Sequence, residues 1–203
     1  MNLMDLLQGH LSDDFVDQLS NQIGGADREQ TEAAASGVMT TLVSALARNA
    51  STNQGASALS NALDRDHDGS ILNDVFGMLT GGQAQNSRTT NGEGILNHTP
   101  GDRQSGAVDM ISRLSGLDQG KTGNLMSLLA PVVMGALGKA KQSNGLDAAG
   151  IASLLSGTVS AHQESPTMGF INKFLDADGD GSIIDDVASI GMKLLGGFFS
   201  RKR

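Results

Sequence analysis

An all-α protein is the expectation for this chain, and three observations carry it. Val and Ile recur at helical spacing, alternating apolar and polar runs are not found, and Gly, Asn and Asp punctuate short apolar-periodic segments. The elements follow in order. Residues 3–8 and 13–23 form a first helical region, with Phe15, Leu19 and Ile23 at i, i+4 and i+8. Asp27 is placed to cap a helix from Arg28 to about Ala47, because its carboxylate can accept the free amides of the first turn. The apolar stripe of that helix is Val38, Met39, Leu42, Val43 and Leu46. A short helix at about 54–63 leads into an acidic loop at Asp64, and Leu72, Val75, Phe76 and Leu79 then line a further helix stopped by Gly81-Gly82. Residues 81–104 are polar and rich in Gly, Asn and Thr, which is linker composition.

The second half repeats the plan. At a shift of 91 residues Asp27 falls on Asp118, Thr31 on Thr122, Leu42 on Val133, Val43 on Met134, Ala45 on Ala136 and Leu46 on Leu137. Asp118 is expected to cap a helix running to about Lys141, kinked or broken at Pro131. Another helix is expected at about 147–160, with Ile151, Leu154 and Leu155 on one side. A Ser/Pro-containing break at 163–167 leads to a helix at 168–175, a second acidic loop and a last helix at about 184–199. The expected organisation is a duplicated helical unit: residues 1–80 and 105–203, joined by 81–104, each unit ending in an Asp-rich loop.

Charge placement is more informative than charge size. The 203 residues carry a net charge of −8, and the pI is near 4.8. Segment 64–74 holds four Asp and one Arg, segment 176–186 holds five Asp and no base, and the rest of the chain is neutral. All the net charge therefore lies in two short stretches, which is what cation-binding loops would look like.

Those stretches read Asp64-Arg65-Asp66-His67-Asp68-Gly69-Ser70-Ile71-Leu72-Asn73-Asp74 and Asp176-Ala177-Asp178-Gly179-Asp180-Gly181-Ser182-Ile183-Ile184-Asp185-Asp186. Both begin Asp-x-Asp-x-Asp-Gly-Ser-Ile, which resembles the first eight positions of an EF-hand calcium loop. Calcium is a hard ion that takes six to eight oxygens, and three Asp at alternate positions of a curled backbone converge on one point. Gly at the sixth position allows the sharp turn. Ser70 and Ser182 stand where a backbone carbonyl would ligate next. The closing bidentate Glu of an EF-hand is replaced by Val75 and Val187, so Asp74 and Asp186, one position earlier, are the nearest closing acids. The candidate metal ligands are thus Asp64, Asp66, Asp68, Ser70 and Asp74, and Asp176, Asp178, Asp180, Ser182 and Asp186. Because Asp is shorter than Glu, affinity is expected in the weak EF-hand range, roughly 10⁻⁵ to 10⁻³ M. Magnesium is the rival ion, a static turn capped by its own acids is the structural alternative, and a catalytic carboxylate pair is a third reading with no nearby nucleophile or complementary acid to support it.

Other chemistry is sparse. The absence of Cys excludes disulfides, thiolate metal sites and cysteine nucleophiles. Six Phe without Trp or Tyr, on an acidic chain, argue against nucleic-acid binding. His10, His67, His98 and His162 are scattered and show no zinc spacing. Met39, Met78, Met126 and Met134 lie at helical spacing and read as core filler. The most apolar run, Leu125 to Leu137, spans 13 residues, short of the about 20 a membrane-crossing helix needs. Met1 to Ser12 lacks a basic secretory n-region, which favours the cytoplasm, with export by a route without an N-terminal signal as the alternative. The basic tail Arg201-Lys202-Arg203 after Phe198-Phe199 reads as a solvated helix end.

A family resemblance agrees with this. The segments Gly94-Ile95-Leu96-Asn97-His98, Ser115-Gly116-Leu117-Asp118 and Leu128-Leu129-Ala130-Pro131-Val132-Val133-Met134-Gly135-Ala136-Leu137-Gly138 resemble the bacterial domain-of-unknown-function family 937, also called YidB-like. The start Met4-Asp5-Leu6-Leu7 and the second Asp-rich run are similar too. The resemblance implies an all-α bundle of bacterial origin; it does not imply an activity, because none is established for the family, and it provides no catalytic residue list. The expected function is therefore a non-enzymatic, calcium-responsive helical binding or scaffold module, whose partners are a divalent cation and another protein or a second copy of itself. The alternative is a self-assembling structural protein with static Asp-rich turns.

Overall fold

The computed structural model describes residues 3–66 and 101–161. The helices expected through Leu72–Leu79, at 168–175 and at 184–199 lie outside the described residues, as does the break at 163–167. Among the described residues the chain forms seven α-helices and no strand.

Helix α1 (Leu3–His10) buries Leu3, Met4 and Leu7 and exposes Asp5, so even this two-turn element has one apolar face. Helix α2 (Asp13–Gln22) starts where Ser12 accepts the Phe15 amide at 3.4 Å, with Asp13 and Asp14 against the positive end of the helix dipole. Phe15, Val16 and Leu19 form its buried side. The turn after it runs through Gly24, whose φ of 89° is open to glycine at little cost. The Gly25 amide returns to the Ser20 carbonyl and the Gly24 amide to the Asn21 carbonyl. The buried Ser20 hydroxyl closes the turn by donating to the Ala26 carbonyl at 2.6 Å and accepting the Ala26 amide at 3.1 Å.

Helix α3 (Arg28–Asn49) is capped by Asp27, which accepts the Gln30 amide at 3.2 Å. After three linking residues comes α4 (Asn53–Asp66), which buries Ala56, Leu59, Ser60 and Leu63 on one face. Helix α5 (Gly101–Ser115) buries Ala107, Met110 and Ile111. Its first four residues fall within the stretch expected as linker. Ile111 lies so close to Gly37 that a Cβ there would stand 3.4 Å from Ile111 Cγ2.

Helix α6 (Gln119–Asn144) is capped by Asp118, which accepts the Gly120 and Lys121 amides at 2.8 and 3.2 Å. It runs unbroken through Pro131, against the break that a proline invites. Residues 129–138 are buried on every side, so surrounding packing outweighs the missing amide donor. A left-handed Gly145 ends the helix, with the Leu146 amide returning to the Lys141 carbonyl at 2.9 Å. Helix α7 (Ala148–Ala161) buries Ile151, Leu155 and Thr158.

The two long helices α3 and α6 pack on each other at the centre. Helix α5 lies against both, α2 against α3, and α1 across α6, α7 and α3. Helices α4 and α7 pair with each other, α4 also touching α6 and α7 also touching α3. One apolar cluster runs from Leu3 through Val38, Ile111 and Leu129 to Leu155. Residues 37–44 of α3, like 129–138 of α6, are buried on all sides. Helix α6 alone among the described residues is long and apolar enough to cross a membrane, yet 72% of that window is buried inside this fold.

The turns before α3 and α6 are built alike. Asp27 and Asp118 cap, and the buried Thr31 and Thr122 hydroxyls donate to the Asp27 and Asp118 carbonyls at 2.8 and 2.9 Å. A serine of the preceding helix holds each turn: Ser20 as described, and Ser112 donating to the Leu117 carbonyl. Lys121 ties the two turns together by donating to the Gly25 carbonyl at 2.7 Å.

Candidate cation site

Of the ten candidate ligands, the described residues contain Asp64 and Asp66, both in the last turn of α4. Asp68, Ser70, Asp74, Asp176, Asp178, Asp180, Ser182 and Asp186 lie outside the described residues. The first Asp-rich run thus opens within the last turn of α4. The helix continues through Asp66, two residues into the run. Positions two apart on a helix are rotated by about 200° around its axis, so the backbone does not bring residues 64 and 66 to a common side. Among the described residues, no group of three or more His, Asp or Glu is placed to hold a metal ion.

Asp64 is instead engaged with a cation of the chain itself. Its carboxylate pairs with the Lys141 ammonium, which also donates to the Ser60 carbonyl at 3.2 Å. The two partners differ in environment: the Asp64 side chain is 65% exposed, the Lys141 side chain 11%. Lys141 lies in the last turn of α6 and runs its methylene stem along packed surface before reaching α4. Ser60 and Asp64 are one turn apart, so the ammonium brackets the end of α4 from outside. An ammonium is also electrostatically favoured at a helix C-terminus. Lys141 is the residue that sequence reading missed. Its only signal was a base in the last turn of a helix, which is ordinary.

Further charged contacts are tethers on the surface. Arg28 pairs with Asp13 and, at 3.7 Å, with Asp17, which fixes α3 to α2. The hydrogen bond to Asp13 raises the Arg28 pKa, against an opposing desolvation. Asp109 pairs with Arg113 at 2.9 Å and accepts from Gln119 at 2.6 Å, joining α5 to the start of α6.

No curated protein and no solved structure matches the chain. A family model described as bacterial protein of unknown function, DUF937, matches residues 5–140. The match spans α1 to α6 and stops one residue before Lys141. Covering well over half of the sequence, it establishes that the chain belongs to the DUF937 family of bacterial proteins.

Proposed function

We propose that this chain is a non-enzymatic calcium-binding helical module, in which ions taken up by two Asp-rich runs fix the helices that flank them. The observation that carries the reading is the pair of Asp-x-Asp-x-Asp-Gly-Ser-Ile runs holding all the net charge, the first leaving the end of α4. Two divalent ions would bring the net charge from −8 to −4. The matched caps and threonines before α3 and α6 support a duplicated helical unit as the frame for the two runs. The ion is calcium, with magnesium as the competitor to test. The same reading takes another protein, or a second copy of the chain, as the partner of the loaded form, in the cytoplasm.

Calorimetric titration with calcium should give a weak event, roughly 10⁻⁵ to 10⁻³ M. Circular dichroism should change on addition of chelator. Absence of both heat and spectral change at millimolar calcium would reject the proposal, and a larger response to magnesium would reassign the ion.

One observation favours a second reading. Asp64 already has a cation in Lys141, so the first run can serve as a static staple of a self-assembling structural protein. On that reading the Asp64→Asn, Asp176→Asn double variant keeps its light-scattering mass, and the parent chain binds no calcium.

A further inference from the structure

We propose that Asn144-Gly145, at the end of α6, is a self-modification site: it loses ammonia to form an aspartyl or isoaspartyl residue, at a rate gated by the helix cap, and the product opens that cap for good.

The chemistry belongs to the residue pair. The Gly145 amide gives its proton to base, and its nitrogen attacks the Asn144 side-chain carbonyl carbon. A carbon–nitrogen bond forms, the bond to Nδ2 breaks, and Nδ2 departs as ammonia. Water then opens the resulting succinimide at either carbonyl, giving aspartate or isoaspartate. A side chain on the following residue obstructs the attack. The other asparagines among the described residues precede Gln, Ala or Leu, whereas Asn144 precedes Gly. Asn144 is exposed, and a Cβ on Gly145 would meet nothing within 4 Å, so the corner is sterically open.

The cap supplies the gate. Asn144 Nδ2 donates to the Ala140 carbonyl at 2.7 Å, which turns the side chain back along the helix and away from the attacking nitrogen. The Gly145 amide is held by the Gln142 carbonyl at 3.4 Å, at the long limit for such a bond. Both bonds must open before the ring can close, and helix ends open locally at far lower cost than the whole molecule. Either product places a carboxylate at the negative end of the α6 dipole. Isoaspartate also reroutes the main chain through the side-chain carbon. The left-handed Gly145 turn and the return of the Leu146 amide to the Lys141 carbonyl then lose their register, and Leu146 packs against the core. The corner between α6 and α7 is loosened in one direction only.

The test is ageing of the full chain at mildly alkaline pH, in native buffer and in urea, followed by tryptic peptide mass spectrometry with fragmentation. Asn91-Gly92, outside the described residues, falls on a different tryptic peptide. Acid at position 144 should form in both samples, at least about tenfold more slowly in the native one. No conversion at Asn144 in the native chain, or none in urea, would overturn the site. Equal rates would overturn the gate. In a Phe15→Ala background the native rate should be unchanged, because the cap opens locally. A rate that rises with the lost stability would assign the opening to whole-molecule unfolding and overturn local gating. Asn144→Asp should lower the thermal midpoint, and an unchanged midpoint would overturn the effect on the cap.

Discussion

Replacing Phe15 with alanine should remove about 3–5 kcal/mol of stability, a large share of the total for a domain of this size. Phe15 is fully buried on α2 and is the lone aromatic side chain among the described residues. Neighbouring Leu, Val and Met side chains are already close-packed, so they cannot collapse into the space a ring leaves. Part of the loss is the transfer of the ring to water, and part is the cavity left behind. Phe15→Leu should cost less because it refills most of the volume. Since the chain has neither Trp nor Tyr, the readout is urea denaturation followed by circular dichroism. A midpoint unchanged by Phe15→Ala would mean that α2 is not docked as described.

Gly55→Ala should destabilise, although the same exchange usually strengthens a helix by about 0.5–1 kcal/mol. The link between α3 and α4 is so short that the start of α4 lies against the end of α3. A Cβ at residue 55 would fall on the Asn49 carbonyl oxygen and within 2.8 Å of the Asn49 carbonyl carbon and Oδ1. Two of those atoms are backbone and cannot rotate away, so one helix must shift. The expected loss is about 1–3 kcal/mol, the usual range for overpacking. Gly157 in α7 is the internal contrast, because a Cβ there meets nothing within 4 Å. Gly157→Ala should therefore stabilise by about 0.5–1 kcal/mol. Thermal midpoints of the two variants should move in opposite directions, and a gain for Gly55→Ala would contradict the tight α3–α4 corner.

The elements legible in the sequence were those with strong local signals. Asp27 and Asp118 stand before long apolar-periodic stretches, and both cap as their positions require. Leucine and valine spacing marked α3, α6 and α7 because each buries residues at helical intervals. Helix α5 was not read, since Gly101-Asp102-Arg103-Gln104-Ser105-Gly106 begins it with linker-like composition, and its apolar positions reduce to a few residues around Ile111. Pro131 suggested an interruption because a sequence shows the lost amide but not the burial around residues 129–138. At the first Asp-rich run, the acids themselves were visible, and so was the helix that leads into them. Lys141 was invisible, because only the packing of α4 beside α6 brings its ammonium to Asp64.

The mutual enclosure of α3 and α6 has a consequence for how the molecule comes into being. As the chain leaves the ribosome, α3 emerges with Val38, Met39 and Val43 awaiting a cover that α5, α6 and α7 supply much later. The first half is therefore born incomplete, with a sticky surface and no finished interior of its own. Native architecture must arrive late and in concert, through contacts between distant parts of the sequence, which slows the process and leaves a nascent interval in which a holding chaperone would protect it.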